Sequence, residues 1–388
     1  MSHFINKLQL QAELNRCLQC KTQPCMNACP VSCNPREFIA FARANAWNDA
    51  VHTITRNNPM GLTCGLICPD KFCMAACTRA RIDFPINIPK IQAAILHSHR
   101  QASDALTCAE PNGQKIAIIG AGPAGMAAAS RLVRAGFQID IFEARKEIGG
   151  ALNMIPDERL PHDIIEEDWK FIMIPDRIRL HLNAKIDDPN ALCDAFDAII
   201  VATGEPNCTP LNIPGEELST SYMDYLYDPQ KFKTSGNVAI IGGGNVAADC
   251  AMTAISLGAA SVEMFIRRGL SDMKISRKDF LELLEKHIQL NGMTSPVRIE
   301  KTQDHLTLWV RKNHFIDNKW SPLEDTTHQL PYFDLVIRAI GSRADQKKDD
   351  SPRVIYAGDC KTGGSTIVEA ISSGLSAAGT LIATLLHS

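Results

Sequence analysis

Two features of the sequence predict an α/β fold with two parallel-sheet domains behind a helical N-terminal region. A strand–loop–helix–strand unit with a glycine-rich loop occurs twice, at residues 115–143 and 237–266. Such βαβ units build parallel sheets with helices on both faces. The first hundred residues instead show apolar positions at helical spacing, among them Phe38, Phe41, Ala42 and Ala46, between two runs of cysteines.

The bulk composition is that of a soluble globular protein with two or three domains. The chain has 388 residues, of which 45% are hydrophobic and 21% charged, and its formal net charge is −3. This charge gives no support for binding to nucleic acid or to an anionic membrane. The N-terminus lacks the apolar core of a signal peptide, and the apolar stretch Ala370–Ser388 is interpreted as a buried domain helix. A cytoplasmic protein without a membrane anchor is expected.

Nine of the fourteen cysteines fall within the first 77 residues, which predicts metal or redox chemistry in a reducing cytoplasm. Their spacing is Cys17-x2-Cys20-x4-Cys25-x3-Cys29-Pro30 and Cys64-x3-Cys68-Pro69-x3-Cys73-x3-Cys77, with Cys33 between the runs. Thiolates at short spacing suit iron–sulfur clusters or zinc. Structural zinc fills four ligands in two close pairs, so nine cysteines favour clusters. The ferredoxin-like Cys-Pro ends suggest crossed ligation, and Cys33 and Cys64 are interpreted as packed thiols.

The first glycine-rich loop, Gly120–Gly125, predicts a dinucleotide site. It follows the predicted strand Lys115–Ile119 and opens the predicted helix Met126–Arg134. Glycines there allow a tight turn and let the pyrophosphate approach the helix N-terminus. Glu143, at the end of the next predicted strand, is expected to accept hydrogen bonds from a ribose hydroxyl.

The second loop, Gly242–Ala247, repeats the pattern with alanine in place of the third glycine. Counted from the first glycine of each loop, the position of Glu143 corresponds to Phe265, and Arg267 and Arg268 follow. Guanidinium groups bind a 2′-phosphate that a carboxylate would repel, which favours NADP(H) over NAD(H). The alternative interpretation is that the two arginines form a solvated surface.

The C-terminal segment Val354–Gly374 carries a third nucleotide-type motif and is assigned to the first nucleotide domain, so the second is predicted to be an insertion. The polar stretch Asp104–Gln114 is expected to form a linker. The predicted domains are a helical cysteine-rich domain at 1–108, a first nucleotide-binding domain at 113–225 and 335–388, and an NADP(H)-binding domain at 226–334. Both nucleotide domains are expected to be Rossmann-like.

The sequence lacks the motifs of dithiol exchange, zinc proteases and Ser/His/Asp hydrolases. The inserted domain contains a single cysteine, Cys250, and no Cys-x-x-Cys pair, so electrons are not expected to leave through a dithiol as in thioredoxin reductases. The histidines are scattered, without an HExxH or a His/Asp/Ser pattern. No general acid, general base or other catalytic residue is predicted, because the cofactors themselves would carry the chemistry.

Several segments together resemble the flavin-dependent electron-input module shared by dihydropyrimidine dehydrogenases and the small subunit of bacterial glutamate synthase. In chain order they are CLQC, CMNACP, NPMGLTCGLICP, PINIPKIQ, GAGPAG, IPDERLP, VATG and AGD. The resemblance covers essentially the whole chain. Cys64, the PINI segment and Gln92 fit the small subunit of the bacterial two-subunit dihydropyrimidine dehydrogenase better than they fit glutamate synthase.

The resemblance implies two [4Fe–4S] clusters, FAD and NADP(H), each with its own set of residues. One cluster would take Cys17, Cys20, Cys25 and Cys77, and the other Cys29, Cys68, Cys73 and the unusual ligand Gln92. FAD would contact Gly120, Gly122, Pro123, Ala124, Gly125, Glu143, Gly149, Gly150, Arg159, Gly358, Asp359 and Ile367. NADP(H) would contact Gly243, Gly244, Asn245, Val246, Arg267, Arg268, Lys274, Ala339, Ile340 and Gly341.

The chain departs from the family pattern in three places. The loop after Gly149-Gly150 is one residue short, the gap between Cys68 and Cys73 is short, and the segment Arg179–Leu192 is abbreviated. The sequence also stops at the end of the flavin domain, so the FMN barrel that reduces pyrimidines in the fused enzymes is expected to be absent.

The resemblance implies a flavoprotein of electron transport that passes electrons from NADPH through FAD and two clusters to a partner in an oligomeric complex. The expected partner is an FMN-containing large subunit of dihydropyrimidine dehydrogenase, and the alternative enzyme is a glutamate synthase with its own large subunit. A third hypothesis, from another class, is a metal-scaffolded assembly protein with a vestigial flavin domain. Intact glycines in both loops argue against this third hypothesis.

Overall fold

The computed structural model describes residues 3–100, 107–205, 207–343 and 353–386. The chain divides into two compact units. The first comprises Met1–Leu152, Asp157–Glu205 and Ala344–Ser388, and the second comprises Asn153–Pro156 and Pro206–Arg343. The second unit is therefore inserted into the first, as the sequence predicts. The expected linker at 104–114 lies partly outside the described residues.

The N-terminal part of the first unit is helical. Its helices are α1 (Lys7–Arg16), α2 (Pro24–Asn27), α3 (Pro35–Arg43), α4 (Trp47–Asn57), α5 (Gly61–Ile67) and α6 (Ile88–His99). A reciprocal cap starts α1: the Asn6 side chain accepts from the Gln9 amide at 2.9 Å, and the Gln9 side chain accepts from the Asn6 amide at 2.9 Å. The helices enclose a core of fully buried side chains: Leu14, Phe38, Ile54, Leu62 and Ile91.

A parallel sheet forms the rest of the first unit. Its strands are β1 (Lys115–Ile119), β2 (Gln138–Phe142), β3 (Ile178–His181), β4 (Ala198–Val201) and β16 (Val354–Tyr356), in the order β16-β4-β1-β2-β3. The helices of this part are α7 (Pro123–Arg134), α8 (His162–Ile172), α12 (Asp359–Thr362) and α13 (Ile367–Leu386). Because β16 pairs with β4, the C-terminal segment belongs to this first sheet, as the sequence predicts.

Helix α13 is the one helix in the described part of the chain that is long and apolar enough, by length and composition, to cross a membrane. Its face formed by Val368, Ile371, Ala378 and Leu381 is buried, and the helix packs against α7. Burial of this face in the first unit accounts for the apolar composition of the segment.

The second unit contains a parallel sheet and an antiparallel one. The parallel strands are β6 (Thr220–Ser221), β7 (Asn237–Ile241), β8 (Ser261–Ile266), β9 (Gln289–Gly292) and β14 (Leu335–Arg338), in the order β6-β14-β7-β8-β9, with helices α9 (Tyr222–Tyr227), α10 (Asn245–Ser256) and α11 (Arg277–Glu285). The antiparallel strands are β10 (Thr294–Thr302), β11 (His305–Ile316), β12 (Lys319–Pro322) and β13 (His328–Phe333). A short pair, β5 (Asn207–Cys208) with β15 (Ser342–Arg343), completes the unit. Phe265 and Phe333 meet edge to face in the core between the two larger sheets.

The boundaries of the second unit differ from the predicted 226–334. Strand β6 lies before that range and β14 after it, yet both pair within the second parallel sheet, so the unit extends over Pro206–Arg343. The predicted helical [4Fe–4S] and flavin domains likewise form one compact unit. Strand pairing and packing, rather than the spacing of motifs, set these limits.

The helix after the first glycine-rich loop begins three residues before the predicted Met126. Helix α7 starts at Pro123, and α10 starts at Asn245. Proline suits the first turn because its fixed φ is helical and its missing N–H has no partner there in any case.

A buried carboxylate joins the helical part of the first unit to its sheet. Asp168 on α8 is fully buried, and its oxygens accept from the amide of Thr63 at 2.8 Å and that of Leu62 at 3.4 Å. Both amides lie in the first turn of α5, which no side chain of its own caps. Arg100, just after α6, completes the arrangement with an Nη1–Oδ1 contact of 2.6 Å. One carboxylate thus holds α5, α6 and α8 together.

Replacing Asp168 with alanine should lower the free energy of unfolding by about 3–5 kcal/mol, because the substitution leaves a buried guanidinium and helix amides without their acceptor. Urea unfolding under anaerobic conditions measures the effect. Glu166→Ala, two residues earlier in the same helix, removes only an exposed ion pair with Lys170 and should change stability by no more than about 0.5 kcal/mol. Equal stabilities for the two variants would contradict this account of Asp168.

Candidate functional site

Four cysteines from three segments line one pocket in the helical region. Cys17 follows α1, Cys20 and Cys25 flank the turn into α2, and Cys77 precedes a short helical turn. The pocket is lined by Cys17, Cys20, Cys25 and Cys77 together with Ile39, Ile86, Ile88 and other residues. These are the four residues that the resemblance assigns to one cluster, and the structure brings them together.

Burial in this pocket raises the pKa of at least one of the four thiols. Burial, reinforced by the nearby thiols of Cys17 and Cys77, raises the pKa of Cys25 to about 11. The Cys20 thiol contacts the Thr78 hydroxyl at 3.6 Å. Binding of a metal group would displace the thiol proton of Cys25, because thiolates are the ligand form.

A second group of cysteines lies around the end of α5. The pKa of Cys73 is raised to about 12 by burial, then by the nearby thiols of Cys68, Cys29 and Cys25. Burial, the Cys64 thiol and the Cys29 thiol also raise the pKa of Cys68. The Cys29 thiol therefore lies near those of Cys68 and Cys73, although Cys29 closely follows Cys25 in the sequence. The grouping has the crossed order that the sequence suggests.

The remaining predicted ligand, Gln92 on α6, lies buried beside this second group. Its Nε2 donates to the carbonyl oxygen of Gly61 at 2.6 Å, which fixes the orientation of the amide. Its Oε1 is 3.6 Å from the thiol of Cys33. The two cysteines interpreted as packed thiols, Cys33 and Cys64, are both buried, each with 3% of its surface exposed.

Across the described ranges, no three His, Cys, Asp or Glu side chains are placed to hold a single metal ion. The four thiols of the first group instead surround a pocket that they share with apolar side chains. An all-thiol set of this kind suits an iron–sulfur cluster, which is larger than one ion and prefers soft ligands.

The first glycine-rich loop forms a cradle at the end of β1. Gly120 has a φ of 108°, and a Cβ there would lie 2.4 Å from the carbonyl oxygen of Ala202, so only glycine fits. A Cβ on Gly125 would lie 2.0 Å from the carbonyl oxygen of Gly120. Gly122 differs: the nearest atom to its Cβ position is the Gly150 Cα, at 3.9 Å, and no side chain caps α7. The loop leaves room and free amides for a pyrophosphate.

The predicted flavin residues surround this loop. The two oxygens of Glu143 accept from the amides of Ala121 at 2.8 Å and Arg145 at 2.9 Å, so the buried carboxylate is held beside the loop. Pro123 and Ala124 form the first turn of α7, while Gly149 and Gly150 follow β2. The Gly149 amide donates to the carbonyl oxygen of Ala121 at 2.9 Å. Arg159 is half-buried in the segment before α8.

The C-terminal motif reaches the same loop. A Cβ on Gly358 would lie 2.9 Å from the Cβ of Ala124 in α7. The Gly358 amide donates to the Ser373 hydroxyl at 2.8 Å. Asp359 starts α12 and accepts from the Ser365 hydroxyl at 2.5 Å, and burial raises its pKa. Ile367 is the first residue of α13. Gly358, Asp359 and α7 thus meet at the carboxyl edge of the first sheet, where such folds bind ligands.

The second glycine-rich loop is built in the same way within the second unit. Gly244 caps α10 without a side-chain hydrogen bond, and open space surrounds its Cβ position. Asn245 and Val246 form the first turn of α10. The Lys274 amide donates to the carbonyl oxygen of Gly243 at 3.2 Å, and the segment Ala339, Ile340 and Gly341 follows β14, the neighbour of β7. The predicted nicotinamide residues therefore gather at one edge of this sheet.

The residue that corresponds to Glu143 is Ile266, so the count that gave Phe265 is wrong by one position. Phe142 pairs with the last residue of β1, and Phe265 pairs with the last residue of β7. Phe265 therefore matches Phe142, because the connection in the second unit is one residue longer. Ile266 is buried, while Arg267 and Arg268 directly after it are exposed. No ion pair within the described ranges involves either arginine.

Three contacts that matter for this site had no sequence signal. Asp168 is separated from Thr63 by 105 residues, the Ser372 hydroxyl donates to the carbonyl oxygen of Pro30 at 2.7 Å across 342 residues, and Ser373 accepts from Gly358. Asp168, Ser372 and Ser373 are common polar residues within helices, and no motif in the sequence marks them. Only the pairing of distant segments gives these residues a role.

Comparisons with known proteins identify the two parts of the chain. A family model described as dihydropyrimidine dehydrogenase domain II, 4Fe-4S cluster, matches residues 1–104. The model of the pyridine nucleotide-disulphide oxidoreductases matches residues 114–352, more than half of the chain, so the chain belongs to that family. Together the matches make it an NAD(P)H-dependent flavin and iron–sulfur oxidoreductase, as the resemblance implies.

Individual relatives agree with this description. The chain is 29% identical to the NAD-dependent dihydropyrimidine dehydrogenase subunit PreT of Escherichia coli O157:H7, over 94% of this chain and 92% of that one. It is 25% identical to the NADP(+)-dependent formate dehydrogenase subunit beta of Moorella thermoacetica, over 92% of this chain and 59% of that one. The structure of Mycobacterium tuberculosis FprA in complex with NADPH has the same fold, with a TM-score of 0.60, 20% identity, and coverage of 72% of this chain and 85% of that one.

Gly122→Ala should fold normally yet bind flavin more weakly, because the new methyl group would occupy open space that the pyrophosphate needs. Overpacking of this kind costs on the order of 1–3 kcal/mol, or roughly 5- to 150-fold in the dissociation constant. Flavin retention after gel filtration and the flavin dissociation constant measure the effect.

The matched control is Gly244→Ala, which should retain flavin and raise only the KM for the nicotinamide nucleotide. Unchanged flavin affinity in Gly122→Ala would show that the open space at this loop is not the pyrophosphate site.

Proposed function

We propose that this chain is the electron-input subunit of a two-component reductase. When bound, NADPH, FAD and two [4Fe–4S] clusters would supply hydride transfer followed by single-electron transfer to a partner. The residues of the chain bind these groups, exclude water from them and hold them at fixed positions. One observation carries the proposal: the cysteine segments and the first glycine-rich loop belong to one compact unit. Within it, the Ser372 hydroxyl of α13 donates a hydrogen bond to the carbonyl oxygen of Pro30, beside Cys29.

Two sets of donors support two clusters. Cys17, Cys20, Cys25 and Cys77 line the first pocket. Cys29, Cys68 and Cys73 form the second set, and its proposed fourth donor is Gln92, which is buried on α6. Cys25 of one set lies close enough to Cys73 of the other to raise its pKa. Adjacent sets suit a relay that passes electrons from one cluster to the next.

The flavin and nicotinamide sites are assigned to the two glycine-rich loops. Each has an uncapped helix N-terminus and a glycine with open space beside it, Gly122 in the first loop and Gly244 in the second. Exposed Arg267 and Arg268 follow the β8 position where an NAD-specific site would carry an acid. This arrangement favours NADPH, although the relatives named PreT are described as NAD-dependent.

The partner is proposed to be an FMN-containing large subunit of a dihydropyrimidine dehydrogenase. Relatives that match almost the whole chain are named as subunits of such an enzyme, and a more distant one is a subunit of a formate dehydrogenase. All of these names describe a subunit, which supports a complex with at least one further chain. Gln92 and the PINI segment favour the pyrimidine enzyme over glutamate synthase.

The protein purified anaerobically should contain about two [4Fe–4S] clusters, or about eight iron and eight sulfide per chain. Cys17→Ala should lose about half of both, since it removes a ligand of the first set only. Iron, acid-labile sulfide and zinc analyses measure the content. Cys193→Ala, a cysteine remote in sequence from both sets, is the control and should retain all of the iron. Stoichiometric zinc with little iron would end the proposal.

NADPH should reduce the flavin faster than NADH at equal subsaturating concentration. Arg267→Ala should weaken NADPH binding by about 1.5–3 kcal/mol, because a charge-assisted hydrogen bond to the 2′-phosphate is lost, and should leave NADH binding unchanged. Stopped-flow bleaching of the flavin gives both constants. Lys286→Ala, which removes an exposed cation at the far end of α11, should alter neither. Equal or faster reduction by NADH in the unmodified protein would refute the preference.

The isolated chain should pass electrons from NADPH to artificial acceptors and leave uracil and thymine unreduced. A tagged copy expressed in its native cells should co-purify with a large FMN protein, and the complex should reduce pyrimidines. Mass spectrometry identifies the partner, and dihydropyrimidine formation measures turnover. Pyrimidine reduction by the isolated chain, or turnover only with a glutamate synthase large subunit and its substrates, would overturn the assignment.

A further inference from the structure

Two large apolar side chains stand in solvent beside the first set of cysteines. Ile82 has 65% of its surface exposed, and Phe84 has 78%. Both follow the short helical turn Thr78–Arg81, which begins directly after Cys77. The first two residues of this turn line the pocket that the four thiols surround. Exposed Ile82 and Phe84 therefore lie near a predicted cluster site.

Ion pairs and hydrogen bonds fix the segment that carries these side chains. Arg79 donates to the two carboxylate oxygens of Asp83 at 2.8 and 2.7 Å. Arg16, the residue before Cys17, donates to Asp83 at 3.0 Å and to the carbonyl oxygen of Phe84 at 2.5 Å. Because both guanidinium groups hold the segment at the end of α1, the exposure of Phe84 is not that of a loose loop. A surface held in a fixed position loses less conformational entropy when a partner binds.

A third exposed apolar side chain comes from the other cysteine segment of the first set. Leu18, in the CLQC segment, lines the same pocket and has 43% of its surface exposed. Arg16, two residues earlier, links this segment to Phe84. Single exposed apolar residues are normal on protein surfaces, whereas several together within a charged border mark an interaction site. Leu18, Ile82 and Phe84 are called the apolar rim below.

The charges around the apolar rim are mostly positive. Two carboxylates there pair with the guanidinium groups of Arg16 and Arg79. Two further cations, Lys21 and Arg81, are exposed, and neither forms an ion pair in the part of the chain that the structure describes. Apolar side chains with an excess of positive charge around them fit a protein surface that is apolar at its centre and acidic at its edge.

Two contacts between the helical part and the flavin loop region reach the second set of cysteines rather than the first. Asp168 of α8 holds the first turn of α5, which is followed by Cys68. Ser372 of α13 holds the carbonyl oxygen of Pro30, the residue after Cys29. Electrons from a flavin would therefore enter at the second set and leave from the first, where the apolar rim lies.

We propose that the apolar rim of Leu18, Ile82 and Phe84 is the surface on which the electron-accepting large subunit docks. The contact surface of this partner is apolar at its centre and acidic at its edge, and the partner carries a one-electron acceptor. Docking breaks no covalent bond, and each transfer that follows takes one electron from this chain to the acceptor. The inference rests on the proposed function, because it requires that the chain passes electrons to another subunit.

The test uses the full-length protein, purified anaerobically with its cofactors, as Phe84→Ser, Ile82→Ser and Arg81→Glu. Phe315→Ser and Lys286→Glu are the matched controls, because Phe315 is 54% exposed in the second unit and Lys286 is an exposed cation there. The probe is the FMN-containing large subunit, purified on its own. Anaerobic biolayer interferometry gives the dissociation constant, and analytical ultracentrifugation gives the oligomeric state of the chain alone.

Phe84→Ser and Ile82→Ser should each raise the dissociation constant for the large subunit about tenfold or more, because an apolar contact at the interface is lost. Arg81→Glu should slow association and reduce its dependence on salt. Both controls should bind as the unmodified protein does. Iron content and NADPH-driven reduction of an artificial acceptor should be unchanged in every variant, which shows that the first set is intact.

An unchanged dissociation constant in both Phe84→Ser and Ile82→Ser, with electron transfer to the large subunit retained, would overturn the docking surface and leave the proposed function standing. Self-association that these variants abolish, with binding of the large subunit unchanged, would assign the apolar rim to a second copy of the chain and overturn the inference as well. A large subunit that neither binds the unmodified chain nor accepts its electrons would overturn the proposed function, and this inference with it.

Discussion

The buried carboxylate of Asp168 is the contact on which the arrangement of the first unit depends. It accepts from the first amides of α5 and pairs with Arg100 at the end of α6. A buried ion pair stabilises a fold only if further hydrogen bonds offset the loss of hydration of its charged groups. The first amides of α5 donate such hydrogen bonds to the Asp168 carboxylate. Helix α5 ends at Cys68, so the same contact fixes a predicted cluster ligand relative to α8 of the flavin domain. Electron transfer between bound carriers needs this fixed spacing.

A second link joins the same two parts from the other side. The Ser372 hydroxyl of α13 holds the carbonyl oxygen of Pro30, the residue after Cys29. Ser373, its neighbour, accepts from the Gly358 amide in the flavin loop region. Two adjacent serines of one helix therefore reach the cysteine turn and the dinucleotide cradle. The helix that looks most like a membrane segment by composition is, in this fold, the element that connects the two sites.

Two of the predicted ligand thiols in the helical region, those of Cys25 and Cys73, are kept in the protonated form by burial. Burial raises the pKa of Cys25 and Cys73 to about 11 and about 12, so these thiols are protonated and unreactive at neutral pH without a ligand. Metal binding must displace those protons, which makes assembly easier as pH rises. Bonds from the thiolates to a metal group would offset the free energy needed to remove these protons.

Sequence alone determined the order of the parts, the two glycine-rich loops, the cysteine spacing and the insertion of the second unit. Each depends on local spacing or backbone conformation, and Gly120 is the clearest case because no other residue fits against the carbonyl oxygen of Ala202. The tertiary structure decided the limits of the second unit, the correspondence of Ile266 with Glu143, and the positions of Asp168 and Ser372. Strand pairing and helix packing join segments more than a hundred residues apart, and no local pattern records which distant residues they bring into contact.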